Sequence, residues 1–253
     1  MISAEPSAAP EHGLVTELRL AAGFLTILPL MPPAPADEAA VANSLRWFPL
    51  VGFVLGATAC GFDFLVGRVF GTLVRSMLTI AAVSAVTGAV HLDALADTAD
   101  ALGAGGDRER ALEILRDSHI GSFGAVALFF VLALKVAALA SLAGNARYVA
   151  LYVALGVSRW AQVAVADKLN YLRATGAGSA LLGRGSVRIA SIVTALALTP
   201  ALIPSRTVAA IAVASLMVLA LRFAYRRWLG GVTGDLIGAC SELVEVAVLL
   251  AFT

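Results

Sequence analysis

Apolar runs long enough to cross a bilayer recur along this chain, and they restrict its fold more than any other feature. A membrane-spanning helix needs about 20 consecutive, mostly apolar residues. Of the 253 residues, 60% are hydrophobic and only 14% are charged, well below the roughly 25% charged residues of soluble domains. The sequence therefore predicts an all-α, polytopic integral membrane protein with about seven or eight transmembrane helices. Residues 1–13 are predicted to form a disordered tail, and residues 14–253 a single helical domain.

Eight segments qualify as candidate spans. They are Leu14–Leu30, Trp47–Val66, Met77–Ala99, Phe123–Leu142, Val149–Ala166, Ile189–Ile203, Val208–Tyr225 and Leu236–Phe252. The sixth is short and contains Pro200, so seven spans remain an alternative. Between the third and fourth spans, Asp107–Ser118 is polar and is predicted to form a short helix capped by Asp107. In the second span, Gly52 and Gly56 have the GxxxG spacing of closely packed helices.

Basic residues give the predicted orientation. With eight spans, eleven Lys and Arg residues lie in the odd-numbered connectors and five on the opposite side. The positive-inside rule then places the odd connectors in the cytoplasm and both termini outside it. The formal net charge of +1 gives no reason to expect a nucleic-acid partner. Cys60 and Cys240 lie in apolar segments and indicate neither a disulfide framework nor a metal site.

An acidic cluster interrupts the third span. Asp93, Asp97 and Asp100 project within roughly 60° of one another on a helix, near its predicted C-terminal end. Carboxylates that share a face in apolar surroundings repel one another, and a bound cation relieves that repulsion. Hard oxygen ligands in this arrangement suit Mg²⁺ or Mn²⁺ held together with substrate phosphates. We therefore predict that the three aspartates bind a metal ion. The alternative is an acidic helix end exposed at the membrane surface.

A second acidic group lies at the predicted cytoplasmic start of the last span. Asp235 and Glu242 are seven residues apart and share a helix face, while Gly234 and Gly238 at GxxxG spacing allow close helix approach. Acidic faces directed at lipid are costly. We expect both acids to turn into the bundle, towards the aspartates of the third span, and to complete one metal site.

Other polar residues are candidate substrate or phosphate ligands. Arg116, Asp117 and Ser118 lie at a membrane entry, where an arginine can hold a phosphate; the alternative is a solvated salt bridge. Arg159 lies near the middle of a span, so it is expected to face the interior and bind phosphate or pair with an acid. His91 is turned away from the aspartates on an unbroken helix and is expected to hydrogen bond between helices.

Three motifs in this chain resemble cobalamin synthase, the adenosylcobinamide-GDP ribazoletransferase family. In order they are HLDALADTAD at residues 91–100, ILRDSHIGSFG at 114–124 and GGVTGDLIGACSELVE at 230–245. The resemblance extends from about residue 20 to the C-terminus. Three alanines stand where the family generally has glycine: Ala89, Ala94 and Ala101.

The resemblance implies a Mg²⁺-dependent transferase in the bacterial cytoplasmic (inner) membrane, with its active site facing the cytoplasm. Such an enzyme joins adenosylcobinamide-GDP to α-ribazole, or to its 5′-phosphate, and releases GMP. Asp93, Asp97 and Asp100 would be its catalytic metal ligands, with Asp235 and Glu242 in support. The sequence leaves open whether the protein forms a homo-oligomer.

A rival class is a membrane cation or proton transporter, which uses intramembrane carboxylates to bind a travelling ion. A transporter predicts acids near the bilayer midplane with access from both sides. This sequence places its acids towards one face, beside polar connectors, which favours an enzyme.

Overall fold

The computed structural model describes residues 13–32, 38–117, 119–172, 186–198 and 204–253. Within these ranges the chain is helical, and the one β pairing is an isolated bridge between Tyr171 and Val232. The α-helices are α1 Leu14–Leu25, α2 Glu38–Ser44, α3 Phe48–Val66, α4 Thr72–Val86, α5 Val90–Leu102, α6 Arg108–Ile114, α7 Ser122–Ser141, α8 Gly144–Ala166, α9 Ser186–Leu198, α10 Pro204–Trp228 and α11 Gly234–Ala251. A 3₁₀ turn, Leu45–Trp47, joins α2 to α3. The predicted tail, residues 1–12, lies outside the described ranges.

Four stretches of helix are long and apolar enough to cross a membrane: Glu38–Val66, Ser122–Ser141, Gly144–Ala166 and Ser205–Trp228. Helices α4 and α5 qualify together, as a pair bent by 91°. The all-α, multi-pass class predicted from the sequence is therefore confirmed. By length and composition, the described part of the chain contains four candidate spans, or five if the bent pair counts as one. The predicted number of seven or eight is therefore not confirmed.

The predicted third span, Met77–Ala99, is wrong as a single helix, because the chain turns between α4 and α5. Gly88 and Ala89 have φ values of 62° and 55°, and two successive residues in the left-handed region cannot continue a right-handed helix. The Val86 carbonyl, left over at the end of α4, accepts a hydrogen bond from the Ile27 amide at 2.9 Å. Glycine at 88 was visible in the sequence, but the second left-handed residue is an alanine, which rarely adopts this conformation.

The predicted first span is also wrong, since α1 stays at one end of the bundle. Its 12 residues extend only about 18 Å, against roughly 30 Å for the hydrocarbon core. Near its start, Glu17 accepts hydrogen bonds from Arg46 and from Trp47 (2.9 Å), just before α3 begins. Just after its end, Ile27 bonds to the end of α4. Because α3 and α4 are consecutive and joined by a short turn, both of these contacts lie at the same end.

Helix α8 is the centre of the bundle, with most of its residues buried, and α3 packs antiparallel against it. A Cβ atom on Gly52 would lie 2.5 Å from the Leu155 carbonyl oxygen, and one on Gly56 would lie 2.9 Å from the Cα atom of Tyr152. The GxxxG prediction for α3 is therefore confirmed: the two glycines let the backbones of α3 and α8 approach closely.

At the far end of the bundle, a buried carboxylate ties three helices together. Asp63 of α3 is fully buried and pairs with Arg147 of α8 (2.6 Å) and with Arg75 of α4. Thr79 of α4 donates a further hydrogen bond to it at 2.9 Å. This cluster holds α3, α4 and α8 together at the end of the bundle opposite the acidic motifs.

Candidate active site

A cavity of about 270 Å³ opens at the end of the bundle where α1 lies, and it brings the two acidic motifs together. The lining residues come from α1, α3, α5, α8, α11 and the segment before α9: Phe24, Leu25, Phe48, Val90, His91, Asp93, Ala94, Gln162, Tyr171, Gly234, Asp235, Ile237 and Gly238. Asp93 of the first motif and Asp235 of the third motif therefore share one cavity. The prediction that these two acidic faces turn towards each other is confirmed for this pair.

The break before α5 determines the electrostatics of Asp93. Because α5 begins at Val90, Asp93 lies in the first turn of the helix. The sequence placed it near a helix C-terminus, and that expectation is wrong. Backbone N–H groups at a helix N-terminus favour negative charge, typically by 0.3–1 kcal/mol. The carboxylate is exposed at the cavity, where it can bind a cation.

Asp235 has a similar position at the start of α11. Thr233 caps this helix by accepting a hydrogen bond from the Leu236 amide (3.3 Å) and donates one to the Asp235 carboxylate (3.1 Å). Gly238 follows one turn later, and a Cβ atom there would lie 2.6 Å from the Ala94 side chain. The close approach of α11 and α5 is what brings Asp235 and Asp93 to the same cavity.

The remaining two aspartates of α5 have different surroundings. Asp97 is half-buried. Asp100 accepts hydrogen bonds from two backbone amides at the start of α7, those of Gly121 (2.7 Å) and Gly124 (2.9 Å). A Cβ atom at either glycine would collide with the Asp100 carboxylate. The GSFG segment of the second motif is therefore built around Asp100, which caps α7.

Glu242 does not lie at the cavity. It is buried and receives a hydrogen bond from Lys135 of α7 at 2.7 Å. The same ammonium group bonds to Glu245 at 2.7 Å, and Glu245 also accepts a hydrogen bond from Arg159 at 2.8 Å. These two acids and two bases form a neutral ion-pair network between α7, α8 and α11. The network explains Glu242 without a metal ion.

Arg159 is almost completely buried. Its guanidinium pairs with Glu245 and donates a hydrogen bond to Ser158 at 2.7 Å. The sequence predicted that Arg159 binds phosphate or pairs with an acid, and the structure shows the pairing with an acid. Its predicted role in phosphate binding stays a prediction.

The segment between α6 and α7 carries exposed polar groups. Asp107 caps α6 as predicted, through the amides of Glu109 and Arg110. Arg116 and Asp117 are exposed, and Ser118 lies outside the described residues. Asp117 approaches the Nδ1 atom of His119 at 2.6 Å. This hydrogen bond raises the pKa of His119 above its usual value and lowers the pKa of Asp117.

Sequence reasoning missed several residues of the cavity wall. His91 lies at the cavity with its Nε2 atom 2.8 Å from the side-chain nitrogen of Gln162, so the expected interhelical hydrogen bond of His91 is confirmed. Gln162 follows Arg159 by one turn of α8. Two polar residues on the same face of an apolar helix could have predicted that Gln162 faces the interior. No pattern in the sequence could have predicted Tyr171 at the cavity. It is positioned there by backbone hydrogen bonds of Leu172 and Asn170 to the distant Val232.

The acids fit a magnesium site in part. Asp93 and Asp235 offer carboxylate oxygens at one cavity, as Mg²⁺ requires when substrate phosphates supply further ligands. Asp100 and Glu242 are engaged by backbone amides and by Lys135. Among the described residues, no three His, Cys, Asp or Glu side chains are arranged to hold an ion by themselves. The metal assignment therefore stays a prediction, centred on Asp93 and Asp235.

Fold and site together define a multi-pass membrane protein whose paired carboxylates face a cavity at one end of a helix bundle. The sequence matches the family model for cobalamin-5-phosphate synthase over residues 17–253. The chain belongs to this family, which confirms the resemblance drawn from the three motifs and makes the protein a transferase. The transporter alternative is wrong.

Curated relatives agree with the family assignment. The adenosylcobinamide-GDP ribazoletransferase of Syntrophobacter fumaroxidans is 40% identical, over 91% of this chain and 95% of its own length. The protein of the same name from a Roseiflexus species is 39% identical over 91% and 86%, and that from Bradyrhizobium diazoefficiens is 35% identical over 97% and 96%. No solved structure matches the chain.

Proposed function

We propose that this protein joins adenosylcobinamide-GDP to α-ribazole, or to its 5′-phosphate, and releases GMP, with Mg²⁺ as cofactor. An acceptor hydroxyl oxygen forms a bond to the phosphorus that carries the cobinamide. The bond from that phosphorus to the oxygen leaving with GMP breaks, and the hydroxyl proton passes to a carboxylate or to water. The meeting of Asp93 and Asp235 at one cavity is the observation that carries the proposal.

The residues have distinct roles in this proposal. Asp93 and Asp235 hold the cation, with Asp97 one helical turn from Asp93. When bound, Mg²⁺ neutralises charge on the phosphate oxygens of the donor and helps to align the reactants. Arg116, exposed next to the anchored start of α7, supplies a positive charge for the donor phosphates. Asp100 keeps this segment in place through its bonds to Gly121 and Gly124.

The proposed location is the bacterial cytoplasmic membrane, with the cavity facing the cytoplasm. Among the described residues, the cavity end of the bundle carries most of the Lys and Arg residues of the connectors, which supports a cytoplasmic position for that end by the positive-inside rule. A water-soluble nucleotide donor reaches the cavity directly from this side.

A reconstitution assay tests the proposed reaction. Purified protein in detergent or liposomes is mixed with adenosylcobinamide-GDP, α-ribazole and Mg²⁺, and both GMP and the corrinoid product are measured. We expect equal amounts of both products, loss of both with EDTA, and recovery with added Mg²⁺. Turnover that persists after complete removal of divalent cations would exclude the metal-dependent reaction.

A further inference from the structure

The cavity wall has an apolar part and an acidic part. Phe24 and Phe48 contribute aromatic surface to it, and Ile237 adds aliphatic surface from α11. Asp93 and Asp235 supply the carboxylates, and both lie in the first turn of their helices. A ligand that fills this space is therefore expected to combine a flat apolar portion with hydrogen-bond donors, such as hydroxyl groups.

The two substrates of the proposed reaction differ strongly in size and charge. α-Ribazole is a nucleoside whose base is a methylated, uncharged, two-ring aromatic group. Adenosylcobinamide-GDP carries a corrin macrocycle, a second nucleoside on cobalt and an anionic pyrophosphate. The cavity volume of about 270 Å³ lies just below the usual range of small-molecule sites, about 300–1,000 Å³, so the cavity fits the smaller acceptor nucleoside better than the corrinoid donor.

Hydrogen bonding leads to the same choice. Carboxylate oxygens of Asp93 and Asp235 that do not hold the cation can accept hydrogen bonds from ribose hydroxyl groups, whereas the donor pyrophosphate binds through the cation. Aromatic walls favour a flat aromatic base through burial of apolar surface and through ring stacking. The donor phosphates then belong outside the apolar part, on the side of the cation and Arg116.

We propose that this cavity is the binding site of the acceptor nucleoside. Its aromatic base lies against Phe24 and Phe48, and its ribose faces Asp93 and Asp235. A phosphate on the ribose would remain at the mouth, outside the apolar walls. The assignment rests on the proposed function, and it adds which substrate enters the protein and which stays at the surface.

Polar groups inside the cavity agree with a binding site. His91 is 6% exposed, and its Nε2 atom accepts a hydrogen bond from Gln162. Its Nδ1 atom has no hydrogen-bond partner among the described residues. A buried polar atom without a partner is rare in native structures and costs about 1–3 kcal/mol. A polar ligand in the cavity, or a water molecule that enters with it, could accept a hydrogen bond from this atom.

The test fills the cavity from two sides. Ile237→Trp adds volume from α11, and Val90→Trp adds it from the start of α5, where Val90 is exposed and tolerates a larger side chain. Leu250→Trp places the same indole on an exposed position of α11 far from the cavity and is the matched control. Two quantities are measured for each protein: equilibrium binding of α-ribazole without donor, and KM for each substrate in the GMP-release assay.

We expect the two cavity variants to bind α-ribazole at least about 10-fold more weakly and to show the same rise in its KM, because one misfitting group in a pocket costs about this much. Their KM for adenosylcobinamide-GDP and all constants of Leu250→Trp should remain within about twofold of wild type. A rise confined to the KM for adenosylcobinamide-GDP would assign the cavity to the donor and overturn the proposal.

Two further results distinguish a wrong binding-site assignment from a wrong reaction. Unchanged α-ribazole binding in a folded Val90→Trp protein would show that the acceptor binds elsewhere, although turnover continues. Absence of GMP release by the wild-type protein would contradict the reaction itself. In that case α-ribazole binding, measured without donor, still decides whether the cavity is a nucleoside site.

Discussion

At residue scale, Asp93 is the acid whose position best fits catalysis. It is exposed at the cavity, in the first turn of α5, so its loss should remove a metal ligand without disturbing the bundle. We expect Asp93→Asn to lower kcat by at least about 100-fold and to raise the Mg²⁺ concentration needed for half-maximal activity. Unfolding temperature should stay unchanged. Asp235→Asn should behave in the same way, and wild-type activity in both would contradict the metal site.

Asp100 should respond differently, because its carboxylate bonds to backbone amides. Replacing a helix-capping acid with alanine usually costs about 0.5–2 kcal/mol. We expect Asp100→Ala to lower the unfolding temperature and to expose the segment before α7 to protease. Asp100→Asn should retain part of the cap and lose less stability. If Asp100→Asn instead raises the Mg²⁺ requirement with an unchanged unfolding temperature, Asp100 is a metal ligand and the capping role is secondary.

Ala89 offers a stability test that is independent of the chemistry. Its φ of 55° costs an alanine roughly 1 kcal/mol relative to glycine. We expect Ala89→Gly to stabilise the protein by about that amount and to raise its unfolding temperature by a few degrees. Ala81→Gly is the control: Ala81 is exposed within α4, where glycine should destabilise by about 0.5–1 kcal/mol. Equal effects of the two substitutions would contradict the strain at Ala89.

At the scale of the helices, the network of Lys135 with Glu242 and Glu245 fixes how α7, α8 and α11 pack. Removing one partner of a buried ion pair typically costs about 3–5 kcal/mol, because the other charge is left uncompensated. We expect Lys135→Met to be the most damaging change, since it leaves two carboxylates with one arginine. Glu242→Gln should cost less, and Lys135→Met combined with Glu242→Gln should recover part of the loss, all measured by thermal unfolding.

The same variants test whether Glu242 binds metal. If Glu242→Gln destabilises the protein but leaves the Mg²⁺ dependence of activity unchanged, its role is in helix packing. A changed Mg²⁺ requirement at normal stability would restore the metal role predicted from the sequence.

The sequence predicted that Asp93 and Asp235 meet, but it did not predict the surroundings of Glu242, for a physical reason. Asp93 and Asp235 each lie among apolar residues beside a polar connector, and that local pattern places them at one end of the bundle. Glu242 shows the same local pattern, but its partner Lys135 is 107 residues away. Pairing between distant residues depends on tertiary packing, which spacing along one helix does not contain.

Helix boundaries had the same limitation. Hydropathy detects apolar length, so it joined α4 to α5 and extended α1 to the length of a span. The bend at Gly88 and Ala89 and the contact of Ile27 with Val86 are decided by backbone conformation and by a neighbouring segment. The class of fold, the cap at Asp107 and the close approach at Gly52 and Gly56 depend on local chemistry, and all three were predicted correctly.

For the whole molecule, the position of α1 changes the expected topology. The sequence predicted both termini outside the cytoplasm, because it counted α1 as a span. Both ends of α1 contact the cavity end of the bundle, so the start of α1 lies on the same side as the segment between α5 and α6. This side gains Arg19, giving ten Lys and Arg residues against four opposite among the residues that the structure describes. The positive-inside rule is therefore satisfied better than before.

The final prediction uses single cysteines in a protein whose Cys60 and Cys240 are replaced by alanine. Leu14→Cys and Gly105→Cys mark the cavity end, and Val69→Cys marks the exposed turn after α3 at the far end. In intact cells, a membrane-impermeant thiol reagent should label Val69→Cys alone, while inverted membrane vesicles should show labelling of the other two. Labelling of Leu14→Cys together with Val69→Cys would mean that α1 crosses the membrane after all. Labelling of Gly105→Cys from outside would instead contradict a cavity that faces the cytoplasm.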